Sequence, residues 1–196
     1  MARASAKSGP IPPPPTGPGQ DRRAGAAAHD APFRIAADGT WLYQGSAIQR
    51  PEMVRLFARA LKREPSGPSP TGYALVTPYE RHAVVVDDAP FVATALRVEG
   101  AGQSQRLIFT TNIGAEVVAG RDHPIVVRPG AHAGADADAA VELRPYLMLD
   151  GGLAARIARA VYYELADRAE PRPGDGVLGV WSDGAFFPLD VAQGRA

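Results

Sequence analysis

The sequence predicts an α+β protein made of two similar strand–helix–hairpin units, the second enlarged by extra strands. Three observations carry this. Short apolar runs are bounded by Gly, Pro and Asp-Gly turn signals, as strands are. Two longer stretches place apolar residues at the spacing of one helix face. The order strand, helix, Pro/Gly linker, hairpin occurs at 41–87 and again at 143–190, where "FARAL" (57–61) resembles "IARAV" (157–161). The expected boundaries are an N-terminal unit at 32–90 and a C-terminal unit at 91–191, with tails at 1–31 and 192–196.

The elements follow in order. Residues 1–31 are rich in Pro, Gly, Ala and Arg, with Ile11 the lone large aliphatic side chain after Met1. Such a segment cannot offset its ordering entropy and is expected to be a disordered tail, with polyproline II at 12–15. "FRIAADGTWLYQGSAI" (33–48) alternates around Asp38-Gly39 and reads as a hairpin. Pro51 opens a helix at its first position, and Met53, Leu56, Phe57, Ala60 and Leu61 form its expected buried face. A turn-rich linker at 64–72 leads to strands "YALVTP" (73–78) and "RHAVVVD" (81–87).

The second unit opens with "FVATALRV" and "QRLIFTTNI", a hairpin around "EGAGQS". "AEVVAG" and "PIVVR" are short strands, and 129–140 is a flexible loop. "VELRPYLML" (141–149) is a strand interrupted by Pro145, hence an edge or a bent strand. Asp150-Gly151-Gly152 leads into a helix with Leu153, Ile157, Val161 and Leu165 inward. "VLGVWS" and "AFFPLD" form a last hairpin on Asp183-Gly184.

Composition excludes several functions. Twenty-one basic and 21 acidic residues cancel, so no global field draws the chain to nucleic acid or anionic membrane. The absence of cysteine excludes disulfides, thiolate zinc sites and thiol nucleophiles. No apolar run approaches the ~18 residues of a membrane span, and the N-terminus has no secretory apolar core. A cytoplasmic protein is expected. Phosphate-loop, nucleophile-elbow, zinc-protease and calcium-loop motifs are absent. His29, His82, His123 and His132 are scattered, so no metal is expected.

Some residues remain as candidates. The expected helix start at "DGGLAARIARAVYYEL" would offer free amides to an anion, with Arg156, Arg159 and Tyr163 along one side and Tyr162 able to stack. A solvated arginine face capped by Asp150 is the competing reading. Thr110, Thr111 and Asn112 close an apolar strand, which suits a polar ligand or a turn. Thr77-Pro78 with Glu80 forms a strand end and turn. Trp41, Tyr43, Trp181 and Phe186 are expected in cores.

"VVVDDAPF" (84–91) bears on the seam between the units. If the strand continues through it, Asp87 and Asp88 point to opposite faces and cannot form a catalytic dyad. If it stops, both acids sit in a turn. With Val84 and Val86 inward, Asp88 is the acid held toward the interior and needs a partner.

"DGTWLYQGSAIQRPEMVRLFARAL", "GYALVTPYE", "VVVDDAPFV", "TTNIG", "PYL", "RAVYYEL" and "GVWSDGAFFPLD" occur in this order. The set resembles the bacterial domain-of-unknown-function family 1285 over about residues 35–190. The resemblance implies a duplicated α+β core, a second half like pleckstrin-homology-like folds, and a nucleotide-like ligand at the interface of the halves in a signalling role. The matching positions Thr77, Glu80, Asp88, Thr111, Asn112, Tyr146, Arg159 and Trp181, with Tyr163 from the helix face, form the expected ligand-binding set. No catalytic residue is implied, and Arg159 is the implied partner of Asp88.

Three functions compete. The first is a small-molecule binding protein with its site between the units. The second is a protein–protein adaptor. The third is a small enzyme using Glu80, Asp88 or His123 as acid or base, which would require them to converge on one pocket.

Overall fold

The computed structural model describes residues 31–130 and 142–189. Most of the expected N-terminal tail, the 129–140 loop and the C-terminal tail lie outside the described residues. The described chain is mostly β, with two α-helices and two six-stranded sheets.

The first sheet begins with β1 (Phe33–Ile35), β2 (Trp41–Tyr43) and β3 (Ser46–Ala47). Asp38 closes the first turn by accepting the Thr40 amide at 2.8 Å, and Gly39 sits at φ +86°, where a side chain is strained. Gln44 and Gly45, both at positive φ, make the second turn, as the twist of a tight hairpin demands. Helix α1 (Pro51–Ala60) follows, with Pro in its first turn, Glu52 near its positive end and Arg59 near its negative end. Then come β4 (Leu61–Arg63), β5 (Tyr73–Val76) and β6 (Arg81–Val86).

The α1 face differs from expectation at two positions. Phe57, Ala60 and Leu61 turn inward as expected, joined by Val54 and Ala58, while Met53 and Leu56 are 40% and 62% exposed. Both sets satisfy the i, i+3, i+4 spacing; the packed set carries the branched and aromatic side chains against the sheet. The 64–72 linker is tied down. Ser69 donates to the Val84 carbonyl at 2.6 Å, and Thr71 receives the Val86 amide at 3.0 Å.

The second sheet contains β7 (Phe91–Glu99), β8 (Arg106–Thr111), β9 (Glu116–Val118), β10 (Ile125–Pro129), β11 (Leu143–Met148) and β12 (Ala154–Ile157). Its order is β10-β11-β12-β7-β8-β9, and that of the first sheet is β3-β2-β1-β6-β5-β4. The layouts coincide. Each sheet is two antiparallel three-stranded meanders joined by parallel pairing of its first and sixth strands, β1 with β6 and β7 with β12.

This similarity suggests duplication, but not through the segments whose sequences match. Helix α1 lies between the third and fourth strands of its sheet, whereas α2 (Arg159–Ala166) follows the sixth. Ile157 ends a strand while Phe57 is helical, so "FARAL" and "IARAV" are not equivalent.

The expected helix from Asp150 is half strand. Gly151 and Gly152, at φ +65° and +74°, turn the chain back so that Leu149 donates to Leu153 and Ala154 pairs with Met148. Ala154 and Ala155 are buried at 1% and 0% between β11 and β7. Both faces of this inner strand are covered, Ala155 by the main core and Ala154 by Ala89 and Tyr146, and that packing overrides their helix propensity. Pro145 likewise lies on an inner strand rather than a sheet edge. The β11–β12 pairing runs only from Tyr146 to Met148, so the missing Pro145 amide breaks no bond to β12.

A small third sheet is formed by β13 (Glu170–Pro171), β14 (Leu178–Ser182) and β15 (Ala185–Pro188). Asp183 and Gly184, at φ +51° and +71°, make the expected turn. Ser182, fully buried, joins this sheet to the second: its hydroxyl receives the Leu107 amide at 2.9 Å and donates to the Ala119 carbonyl at 2.6 Å. One apolar core, from Phe33 and Ile35 through Phe91 and Phe109 to Ile157 and Leu165, runs through both large sheets.

Candidate functional site

The site is assembled where β6 hands over to β7. β6 stops at Val86, so both acids sit in the bend before β7, where Asp88 is buried beside the 0% and 3% exposed Val84 and Val86 and Asp87 turns outward. Asp87 accordingly forms a two-pronged pair with Arg34, at 2.9 Å to each carboxylate oxygen. The Asp88 side chain is only 1% exposed.

The partners of Asp88 come from the second sheet. Arg144 and Tyr146 are two apart on β11, and Arg156 stands directly across from Tyr146 on β12. All three therefore project from one face. Tyr146 donates its hydroxyl to Asp88 Oδ1 at 2.6 Å, and Arg144 donates to Oδ2 at 3.1 Å. Arg156 Nε lies 3.4 Å from Oδ2. Burial, and then the bond to Asp88 and its charge, push the Tyr146 phenol well above its ordinary pKa. Arg144 also bonds Glu142 at 2.6 Å, and Arg156 reaches across the seam to the Ala37 carbonyl at 3.1 Å.

This cluster lies between two cavities at the seam. One, of about 340 Å³, is lined by Arg63 and Tyr73 of the first sheet, Arg128 and Tyr146 of the second, and Asp88. The other, of about 610 Å³, is lined by Asp38, Arg144, Arg156, Arg159 and Tyr163 among others. In the smaller cavity, the Arg63 guanidinium stacks 4.5 Å over Tyr73 and that of Arg128 4.4 Å over Tyr146. Stacking holds each planar cation in place while its edge N–H groups remain able to donate. The cavity is therefore an aromatic-walled, cationic recess suited to oxyanions.

Asp88, Tyr146, Arg159 and Tyr163 of the expected set thus reach the seam. The expected Arg159–Asp88 pair does not form. Arg159 Nε donates to the Tyr163 hydroxyl at 2.8 Å, on the larger cavity, and Arg144 and Arg156 take its place at Asp88. Nor do Arg156 and Arg159 share a helix face at an anion-binding helix start, because Arg156 belongs to β12.

The other expected residues lie elsewhere. Thr77 closes the β5–β6 turn, its hydroxyl receiving the Glu80 amide at 2.9 Å, and Glu80 pairs with His82 at 2.9 Å. Thr111 ties the β8–β9 turn to Ala115. Asn112 bridges the units, receiving the Val92 amide at 3.1 Å and donating to the Gly39 carbonyl at 3.2 Å. Trp181 packs edge-on against Phe186 in the third sheet. His123 lies in the β9–β10 turn, its carbonyl receiving the Gly120 amide. Glu80, Asp88 and His123 thus sit on different elements. Among the described residues, no three His, Asp or Glu side chains are grouped to hold a metal ion, and no helix is long and apolar enough to cross a membrane.

Sequence reasoning missed Arg63, Tyr73, Arg128 and Arg144, and it put Arg156 on a helix face rather than on a strand beside Asp88. The "RPY" alternation on β11 was a usable signal for Arg144 and Tyr146. The others needed the seam itself.

Residues 23–89 match a domain of unknown function (DUF1285), N-terminal domain, and residues 90–189 match a protein of unknown function (DUF1285), C-terminal domain. The chain is similar to the crystal structure of a DUF1285 family protein from Silicibacter pomeroyi DSS-3, with 46% identity, coverage of 82% of this chain and 80% of that one, and a TM-score of 0.69. It is also similar to a DUF1285 family protein from Shewanella baltica OS155, at 25% identity over 71% of this chain and 93% of that one, with a TM-score of 0.49. No curated protein matches it. Two domain matches that together span residues 23–189 and the close Silicibacter relative establish that the chain belongs to the DUF1285 family.

Proposed function

We propose that this protein binds a nucleotide-like or other anionic small molecule at the seam between its two sheets and acts in signal transduction. The observation that carries the reading is the recess of about 340 Å³ in which Arg63 and Arg128, from different sheets, are each stacked on a tyrosine. The volume falls at the small-ligand end of ordinary binding sites. A ligand touching both arginines links the two sheets, so occupancy would stiffen the seam and give a signal something to read.

The test is thermal denaturation with AMP, ADP, ATP or inorganic phosphate at millimolar concentration. A ligand present at ~100 times its Kd adds about 2.7 kcal/mol, or roughly 5–11 °C in Tm for a chain of this size. Arg63→Ala should reduce the gain. Absence of any shift with all four probes would sink the reading.

A second reading, as a protein–protein adaptor, is favoured by one surface. An apolar recess of about 480 Å³ is lined by Phe33, Tyr43, Met53 and Phe57, with Tyr43 45% and Met53 40% exposed. The likeness of the second half to pleckstrin-homology-like folds, implied by the family resemblance, fits the same role. Loss of a captured partner on Tyr43→Ser would support it, and unchanged capture would count against it.

A further inference from the structure

The two arginine–tyrosine pairs of the smaller cavity come from corresponding places in the two sheets. Arg63 lies on the fourth strand of the first sheet and Tyr73 on its fifth. Arg128 lies on the fourth strand of the second sheet and Tyr146 on its fifth. The registers differ. Arg63 stands directly opposite Tyr73, whereas Arg128 is two residues along from Val126, the cross-strand neighbour of Tyr146. In both cases the arginine and tyrosine share a face, and both guanidiniums stack at nearly the same distance, 4.5 and 4.4 Å. The duplicated sheet layout has delivered the same cationic device twice to one cavity.

The charges around that cavity are unbalanced in the same way. Glu142 and Asp88 are engaged with Arg144, and Asp88 also with Arg156. Arg63 and Arg128 have no carboxylate partner among the described residues; the Arg63 side chain donates only to the Thr71 carbonyl. Among the described residues, these two positive charges, one per sheet, line one recess without a carboxylate partner.

We propose that the ligand carries two separate phosphoryl groups, one held by Arg63 and the other by Arg128, so that it is a diphosphate or bisphosphate compound rather than a monoanion. This rests on the seam being the binding site. Each guanidinium can meet one phosphoryl group with parallel N–H···O bonds while its face stays on the tyrosine. One group alone would leave the second cation unmatched.

The experiment is titration calorimetry of the full chain with inorganic phosphate, pyrophosphate, AMP and ADP, using wild type, Arg63→Ala and Arg128→Ala. Both arginines are exposed, so the variants should fold; unliganded melting curves check this. Pyrophosphate is expected to bind about 10- to 100-fold more tightly than phosphate, and ADP than AMP, the span of one added charge-assisted contact. Either variant should reduce pyrophosphate affinity to near that of phosphate on wild type. Equal affinities for phosphate and pyrophosphate, or a variant that leaves pyrophosphate binding intact, would overturn the two-point grip while leaving an anion site. Failure of all four probes on wild type would overturn the seam reading and this proposal together.

Discussion

Replacing Asp88 by Ala removes the acceptor on which the seam converges. Tyr146 is 1% exposed, so its hydroxyl loses its carboxylate acceptor in a dry place, which costs about 1–3 kcal/mol. Arg144 and Arg156 also lose a counter-charge. Their side chains are 28% and 25% exposed, so water recovers part of that loss, and the cost lies below the ~3–5 kcal/mol of breaking a fully buried pair. The sum is about 2–4 kcal/mol, or a fall in Tm of roughly 4–16 °C. Asp87→Ala is the matched control. It removes a pair whose arginine is 60% exposed, worth about 0–1 kcal/mol and at most roughly 4 °C. Asp88→Asn should fall between, since its amide oxygen can still accept from Tyr146 while its NH2 group opposes the arginines. The assay is paired thermal and urea unfolding at neutral pH. Equal, small effects of Asp88→Ala and Asp87→Ala would refute the claim that Asp88 organises the seam.

Other perturbations test neighbouring parts of the structure. The Tyr146 phenol is raised in the folded state, so its contribution to stability is complete below the ordinary tyrosine pKa near ~10 and fades as pH climbs above that toward the folded value. Tyr146→Phe should be less stable at pH 7 but lose less stability between about pH 10 and 12 than wild type; an unchanged alkaline slope would contradict this. Ser182→Ala strips the Leu107 amide and Ala119 carbonyl of their buried partner and should cost about 1–3 kcal/mol by urea unfolding. Gly39→Ala combines a positive φ of +86° with a Cβ placed 2.5 Å from Asn112 Nδ2, and should lower Tm more than Asn112→Ala alone. If the two variants melt together, the β1–β2 turn has room to move away from Asn112.

Much of the fold was legible because it is written in local chemistry. Asp38-Gly39 and Asp183-Gly184 are turns whose positive-φ glycines are visible as letters, and Pro51 announces a helix start. What failed did so where neighbours rather than local preference decide. "GGLAARI" reads as helix because alanine favours helices, yet Ala154 and Ala155 lie in an inner strand whose two faces are both covered. The stripe of α1 was ambiguous because Met53 with Leu56, or Val54 with Ala58, both complete a helical face with Phe57 and Leu61. Only the sheet beneath chooses between them.

The candidate site shows the same division. That Asp88 faces inward agrees with the alternation of Val84 and Val86 carried past the strand, although β6 itself stops at Val86 and both acids sit in the bend that follows. Its partners did not follow, because Arg144, Tyr146 and Arg156 become neighbours only once β12 has folded back on β11 and docked beside β7. Arg63 and Arg128 are more remote still. They lie 65 positions apart on strands of different sheets, and each looks in sequence like an ordinary surface arginine. Their meeting is a consequence of topology. A sheet layout used twice, with its fourth and fifth strands brought to a common recess, turns two unremarkable arginine–tyrosine pairs into the walls of one candidate site. Loss of either arginine should therefore weaken binding of the proposed ligand without unfolding the sheet that carries it, whereas loss of Asp88 should loosen the seam itself.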